Sequence, residues 1–242
     1  MSYFRNLLKF FIYSTLRAIP EHMLVKATDG NMWSRIRFLQ RHGFDPKRII
    51  DVGAYDGLWA SRAAALFSNA DVLMIEPQLS MQDKLESVCR DFPGRLKFQI
   101  GLLGRESGKE VQFFQMETGS SFFEDLSDYP RTIVKMKTTT LDDIVSSHGI
   151  RQVDLLKIDV QGAELEVLVG GSNTLDLAHV VLLELSVSDC NAGAPNAAQI
   201  IGFMYGKGFI MRDMADVRRL KKGQPVHQFD AFFVRASSPL YD

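Results

Sequence analysis

From residue 48 onward, short apolar runs alternate with stretches whose apolar positions recur at helical spacing. Runs at 48–52, 71–75, 96–100, 153–158 and 179–185 read as buried strands. Segments 58–67, 81–89, 141–147, 163–169 and 197–207 read as helices, and Gly170-Gly171 stops the fourth of them. An earlier helix is expected at 32–41, closed by Gly43. A turn is expected at 101–108 and a strand at 111–116. Residues 117–130 form a polar stretch with glycine and serine, and 131–138 alternates like an edge strand. Strands alternating with helices imply a mostly parallel α/β sheet with helices on both faces. The end of the chain differs. Strands at 209–211 and 230–235 flank a basic turn, which predicts an antiparallel hairpin added to the sheet edge. The division expected is an N-terminal helical extension, 1–45, and one main domain, 46–242.

Composition narrows the classes. The 242 residues are 46% hydrophobic, enough for one well-buried core. A net charge of -1 gives no global field for nucleic acid, so no nucleic-acid partner is expected. Arg218, Arg219, Lys221 and Lys222 read as a solvated turn. Cys89 and Cys190 give neither metal spacing nor a disulfide framework, which agrees with a reducing cytoplasm. Segment 3–19 is apolar and aromatic but carries Arg5, Lys9 and Arg17. It therefore lacks the roughly 20 uncharged residues of a membrane span, and Lys9 interrupts any signal-peptide core. It is read as an amphipathic helix. It packs on its own domain or across a homodimer, or it makes peripheral contact with a membrane surface.

The first strand-to-helix connection is Asp51-Val52-Gly53-Ala54-Tyr55-Asp56-Gly57. Its glycines let the backbone turn sharply and approach a ligand at the carboxyl end of the sheet. The second strand ends in Glu76-Pro77, about 25 residues on, near the spacing at which an acid binds ribose hydroxyls in doubly wound folds. Neither G-x-G-x-x-G nor a P-loop is present. Asp51 and Asp56 would repel pyrophosphate, but they suit a ligand with ammonium and sulfonium charges. S-adenosylmethionine has both and no phosphate, so it is the cofactor expected here. The bland alternative is that both aspartates cap the next helix.

The segment Leu155-Leu156-Lys157-Ile158-Asp159-Val160-Gln161-Gly162-Ala163-Glu164-Leu165-Glu166-Val167-Leu168 resembles the signature of the FkbM methyltransferases. Asp51-Val52-Gly53-Ala54, Glu76-Pro77, Gly119-Ser120-Ser121, Thr140-Leu141-Asp142 and Glu184 agree in order. The resemblance implies the Rossmann-like class I methyltransferase fold and O-methylation of hydroxyls, commonly on sugars or natural products. Two positions depart from it: Asp56 stands where the family often has Asn, and Gln161 where it often has Glu. Gln161 cannot serve as an anionic base.

A hydroxyl acceptor must lose its proton, which calls for a general base or a metal. Asp159, at the end of a central strand, is the first candidate for base or acceptor-orienting group. Lys157 could tune it, and Glu184 could share the site. The plain alternative is a cap and its structural partner. Asp159 with Glu184 could also hold a divalent cation, although no tight ligand cluster is present and no metal site is assigned. His148 and His227 are lesser candidates for the base, and Glu164 is read as stabilising a helix N-terminus. For the acceptor, Ser120, Ser121, Phe122 and Tyr129 combine polar groups with aromatic faces suited to a sugar. The function expected is O-methyl transfer to a glycan, glycolipid precursor or polyhydroxylated metabolite in the cytoplasm. The alternatives are a non-catalytic cofactor-binding scaffold and N-methylation of a non-sugar natural product.

Overall fold

The computed structural model describes residues 30–116, 119–124, 126, 129–188, 191–221 and 223–241. The segment 3–19 and Cys190 lie outside them. In order, the elements are α1 (Met32–Arg41), β1 (Arg48–Val52), α2 (Leu58–Leu66), β2 (Asp71–Glu76), α3 (Gln82–Asp91) and β3 (Leu96–Ile100). Next come β4 (Leu102–Leu103), β5 (Glu110–Gln115), β6 (Thr132–Thr139), α4 (Leu141–Ser147) and β7 (Val153–Ile158). The chain continues through α5 (Glu164–Gly170), α6 (Ser172–Leu177), β8 (Ala178–Ser186), α7 (Ala197–Gly206), β9 (Phe209–Arg218) and β10 (Gln228–Arg235).

Seven strands form one sheet in the order β3-β2-β1-β7-β8-β10-β9. The first five are parallel; β10 runs antiparallel to both β8 and β9. The C-terminal hairpin is therefore present, with its second strand inserted beside β8. The fold is the Rossmann-like arrangement expected of class I methyltransferases, with helices over both faces. Because side chains alternate along a strand, Ile50, Val52, Leu156, Ile158 and Leu183 pack on one face, with α4 to α7. Ile49, Val72, Met74, Leu155 and Leu182 pack on the other, with α1, α2 and α3. Ile36 and Leu39 of α1 belong to that second core, so this helix is part of the main domain's packing.

The structure corrects the sequence reading in four places. The turn at 101–108 contains β4, and the alternating run 131–138 is the middle strand, not an edge, of a separate three-stranded sheet, β4-β6-β5. Its alternation arises because one face is covered and the other solvated. After the Gly170-Gly171 break a further short helix, α6, begins at once. The strand expected at 209–211 runs on to Arg218. It lies at the sheet edge, where Arg212 is exposed and Asp213 pairs with Arg35 of α1 without ending the strand.

The small sheet closes over the carboxyl end of the large one through two glycines. A Cβ on Gly170 would lie 2.1 Å from the carbonyl oxygen of Gly104. Gly170→Ala should therefore push the loop before β5 off α5 and destabilise the protein by about 1–3 kcal/mol, as overpacking does. Urea unfolding checks this, and an unchanged midpoint would refute the contact's importance.

Candidate active site

The loop leaving β1 is shaped by backbone constraints. Gly53 has φ 74, and a Cβ there would sit 1.8 Å from the carbonyl oxygen of Asp159. Only glycine lets the ends of β1 and β7 meet this closely. Tyr55 is held at φ 49, and its N–H donates to Glu76 Oε2 at 2.8 Å. The N–H of Gln78 donates to Glu76 Oε1 at 2.9 Å. Glu76 thus ties the first loop to the end of β2. Asp56 Oδ1 accepts the N–H of Leu58 at 3.1 Å at the start of α2, the capping role weighed as its alternative.

Two cavities open at this end of the sheet. The first, of about 530 Å³, runs from Gly53 and Glu76-Pro77 past Leu102 and Phe113 to Val160. Ser120, Ser121 and Phe122 line it too. Its wall carries the carboxylates of Glu76 and Asp159 and, among the described residues, no lysine or arginine. Such a lining disfavours pyrophosphate and accepts a cationic ligand with an apolar base. A ribose diol can still donate to Glu76, because each carboxylate oxygen has a second lone pair.

The second cavity, of about 830 Å³, lies on the α1–α2 side. Ala54, Asp56, Lys157 and Glu184 line it, along with Trp33 and Trp59. Gly53, Tyr55 and Asp159 belong to both cavities. Asp159 and Tyr55 are therefore the side chains that border both cavities.

Polar contacts fix Asp159 in place. Gln161, in the left-handed region at φ 54, donates from Nε2 to Asp159 Oδ1 at 2.8 Å and to Glu184 Oε2 at 2.5 Å. Arg218 donates to Glu184 Oε1 at 3.0 Å. Lys157 Nζ donates to Asp51 Oδ1 at 2.8 Å and stands 3.9 Å from Asp159 Oδ2. Burial alone would lower the lysine's pKa; Asp51 and Asp159 outweigh it and hold it above the ordinary range. Burial pushes Glu184 up to about 9, helped by Asp159 and opposed by Arg218. Burial also pushes Asp230 up to about 7, again with Asp159 adding to the rise.

The expected residues are thus distributed unevenly. Asp51 is fully buried and lines neither cavity; it grips Lys157 from beneath the loop. Gly57 lines neither and packs its α-carbon towards Leu85 and Met74. Tyr129 is exposed and outside both cavities. Ser120, Ser121 and Phe122 reach the Glu76 cavity rather than the one beside Lys157 and Glu184. His148 ends α4 at the surface and His227 bonds Ser188, both away from the two cavities. Among the described residues, no set of three or more His, Cys, Asp or Glu side chains is arranged to hold a metal ion. The sequence reading missed Trp33, Trp59, Asp216 and Asp230. It took Arg218 only as part of a solvated turn.

Comparison with known proteins bears on the same residues. The family model of the methyltransferase FkbM domain matches residues 51–211. The 2-O-methyltransferase NoeI of Sinorhizobium fredii is 27% identical over 163 residues, 60% of this chain and 65% of that protein. The hexuronic acid methyltransferase AglP of Haloferax volcanii is 26% identical over 172 residues, 71% of this chain and 69% of that protein. The match thus spans a little under two thirds of NoeI's length. A solved structure of Methanococcus jannaschii fibrillarin, a pre-rRNA processing protein, aligns with TM-score 0.50 at 13% identity over 80% of this chain and 68% of that one. At that identity the likeness speaks for the fold alone.

Glu164 generates a test of the loop that carries Gln161. Its Oε1 accepts the N–H groups of Val160 and Gly162 at 3.2 and 3.1 Å, and burial pushes its pKa from 4.5 up to about 7. The folded state holds this proton more tightly than the unfolded chain. Its contribution is therefore complete below pH 4.5 and is lost as pH rises through about 7. Glu164→Gln should flatten the fall of stability across that window relative to wild type. Parallel urea titrations at several pH values check this; identical slopes would refute it.

Proposed function

The chain belongs to the FkbM methyltransferase family, and from that premise we propose that it is an S-adenosylmethionine-dependent O-methyltransferase. Its acceptor is a hydroxyl of a glycan, a glycolipid precursor or a polyhydroxylated metabolite. The observation that carries this reading is the pair of cavities sharing Gly53, Tyr55 and Asp159. One is suited to a cationic nucleoside and the other to a polar acceptor. The activities named for NoeI and AglP, 2-O-methylation and methylation of a hexuronic acid, support an oxygen acceptor.

Bound S-adenosylmethionine would supply a methyl carbon already activated by its sulfonium. Glu76 and the Tyr55 loop would hold its ribose, and Leu102 and Phe113 of the same cavity would take its base. With the cofactor so placed, the chain's main work is to bring the acceptor oxygen close and in line. Asp159 Oδ1 is engaged by Gln161, while Oδ2 lies beyond hydrogen-bond length from Lys157. That geometry would offer Oδ2 to an acceptor hydroxyl as the group that accepts its proton. Lys157 keeps its charge beside Asp159 and steadies the carboxylate. Glu184 keeps its proton near neutral pH, so it orients rather than competes as base. A cytoplasmic site of action is part of the proposal, supported by the free thiol of Cys89.

Two measurements test this reading. Calorimetry should find S-adenosylhomocysteine bound and NAD not. Glu76→Ala should weaken the former by about 1.5–3 kcal/mol, the worth of charge-assisted bonds. Folded wild-type protein that binds no S-adenosylhomocysteine would sink the proposal. Asp159→Asn should leave cofactor affinity within a few-fold and slow isotopic methyl transfer into a cell extract by about 100-fold or more. Turnover close to wild type would remove Asp159 from the role of base.

A further inference from the structure

The two cavities draw on different parts of the chain. The first is lined wholly by residues between Val52 and Ala163, inside the region 51–211 that the family model matches. The second adds Met32 and Trp33 from before that region and Asp216, Arg218 and Asp230 from after it. We propose that these two flanks build the recognition site for the acceptor, with Trp33 and Asp216 as its specificity-determining residues. The proposal rests on the methyl-transfer reading, which supplies the acceptor.

A β-bulge brings the flanks together. Ala215 stands opposite Asp230, and Arg218 opposite Gln228, so Asp216 and Val217 share the space of one residue. Bulges of this kind re-aim side chains. Asp216 sits at φ 46, in the left-handed region. Such a backbone persists only where its surroundings hold it, and here α1 does so. The N–H of Asp216 donates to the carbonyl of Gly30 at 2.5 Å, and Asp216 Oδ2 accepts the N–H of Met32 at 3.1 Å. The strained residue thereby pins the start of α1 to the cavity rim.

That pin places Trp33 beside Trp59, with ring centroids 5.6 Å apart, and Arg62 lies over the Trp33 ring at 4.9 Å. Trp59 Nε1 points at Met32 Sδ at 3.4 Å, which ties the second indole to the same helix. The cavity therefore combines two tilted indoles, with Arg62 over Trp33 and Lys157 5.5 Å from the Trp59 ring, with the carboxyl groups of Asp159, Glu184, Asp216 and Asp230. A saturated, hydroxyl-rich ring fits both: its C–H face lies on the indole and its hydroxyls donate to the carboxyl groups. An aryl acceptor without a ring of hydroxyls would cover the indoles but leave the remaining lone pairs of the carboxyl groups without donors, which is costly.

Trp33 and Trp59 are the chain's two tryptophans. Tryptophan emission is thus a direct report on this cavity, independent of turnover. The full-length protein, saturated with S-adenosylhomocysteine, is titrated with methyl β-D-glucopyranoside and separately with catechol. The expected result is a saturable emission change with the glycoside. Trp33→Leu, with Trp59 left as reporter, and Asp216→Gly, which relieves the backbone but removes the pin, should each weaken glycoside binding about tenfold. S-adenosylhomocysteine affinity, read by calorimetry, should stay within a few-fold. Asp216→Asn keeps an acceptor oxygen and tolerates the left-handed backbone, so it should recover most of the glycoside affinity. Unchanged glycoside affinity in both Trp33→Leu and Asp216→Gly overturns the proposal. So does an emission response to catechol alone, or to neither probe, in wild-type protein that binds S-adenosylhomocysteine. Wild-type protein that fails to bind S-adenosylhomocysteine overturns the methyl-transfer reading and this proposal with it, and the calorimetric arm tells the two failures apart.

Discussion

The arrangement depends on one ion pair sealed between the two central strands. Asp51 and Lys157 are register partners on β1 and β7, both buried, with Nζ 2.8 Å from Oδ1. A one-residue slip would set each charge against an apolar neighbour and leave both buried without a partner. Breaking a buried pair in this way costs roughly 3–5 kcal/mol. The same slip would turn every side chain of the strand to the other face. The pair therefore specifies the register that puts Gly53 against the carbonyl of Asp159. From that contact follow the sharp turn at Tyr55, the grip of Glu76 on the loop, and the exit of Asp159 between the two cavities.

The ionisable groups of the site share one face of the sheet. Asp51, Glu76, Lys157, Glu184 and Asp230 follow the parity of the residues that pack under α1, α2 and α3, and each lies at or near the carboxyl end of the parallel strands. The apolar core beneath them keeps water out, which is why burial dominates the protonation of Glu184 and Asp230. Lys157 and Arg218 contact this acidic group directly through Asp51, Asp159 and Glu184. The site thus holds protons near neutral pH, while Gln161 supplies hydrogen bonds that need no change of charge.

The cofactor side was largely legible in the sequence. The Gly53 loop, Glu76 and Asp159 sit at ends of strands whose apolar runs are unmistakable, and the chain must turn wherever such a run stops. The second cavity was legible only in part: Lys157, Asp159 and Glu184 were singled out, but its flanking residues were not. Trp33 lies on a helix where an aromatic residue reads as core packing, and Asp216 lies in an edge strand where an acid reads as solvent-facing. Their meeting requires a β-bulge and a helix docked across the hairpin, neither of which leaves a local pattern. Ser120, Ser121 and Phe122 were singled out for the acceptor, but they line the Glu76 cavity.

By itself the sequence determined the succession of strands and helices apart from β4 and α6, the parallel sheet, the C-terminal hairpin and the family. These follow from side-chain periodicity, from backbone limits at glycine and from a contiguous motif, all properties of neighbouring residues. The tertiary structure alone decided that Asp51 is the buried partner of Lys157 rather than part of a cavity wall, and that Tyr129 faces solvent. It also decided that residues from both flanks of the family region line one cavity with Asp159. The physical reason is that such contacts join residues far apart in the chain, and their geometry is set by strand register, a bulge and helix docking rather than by any local preference.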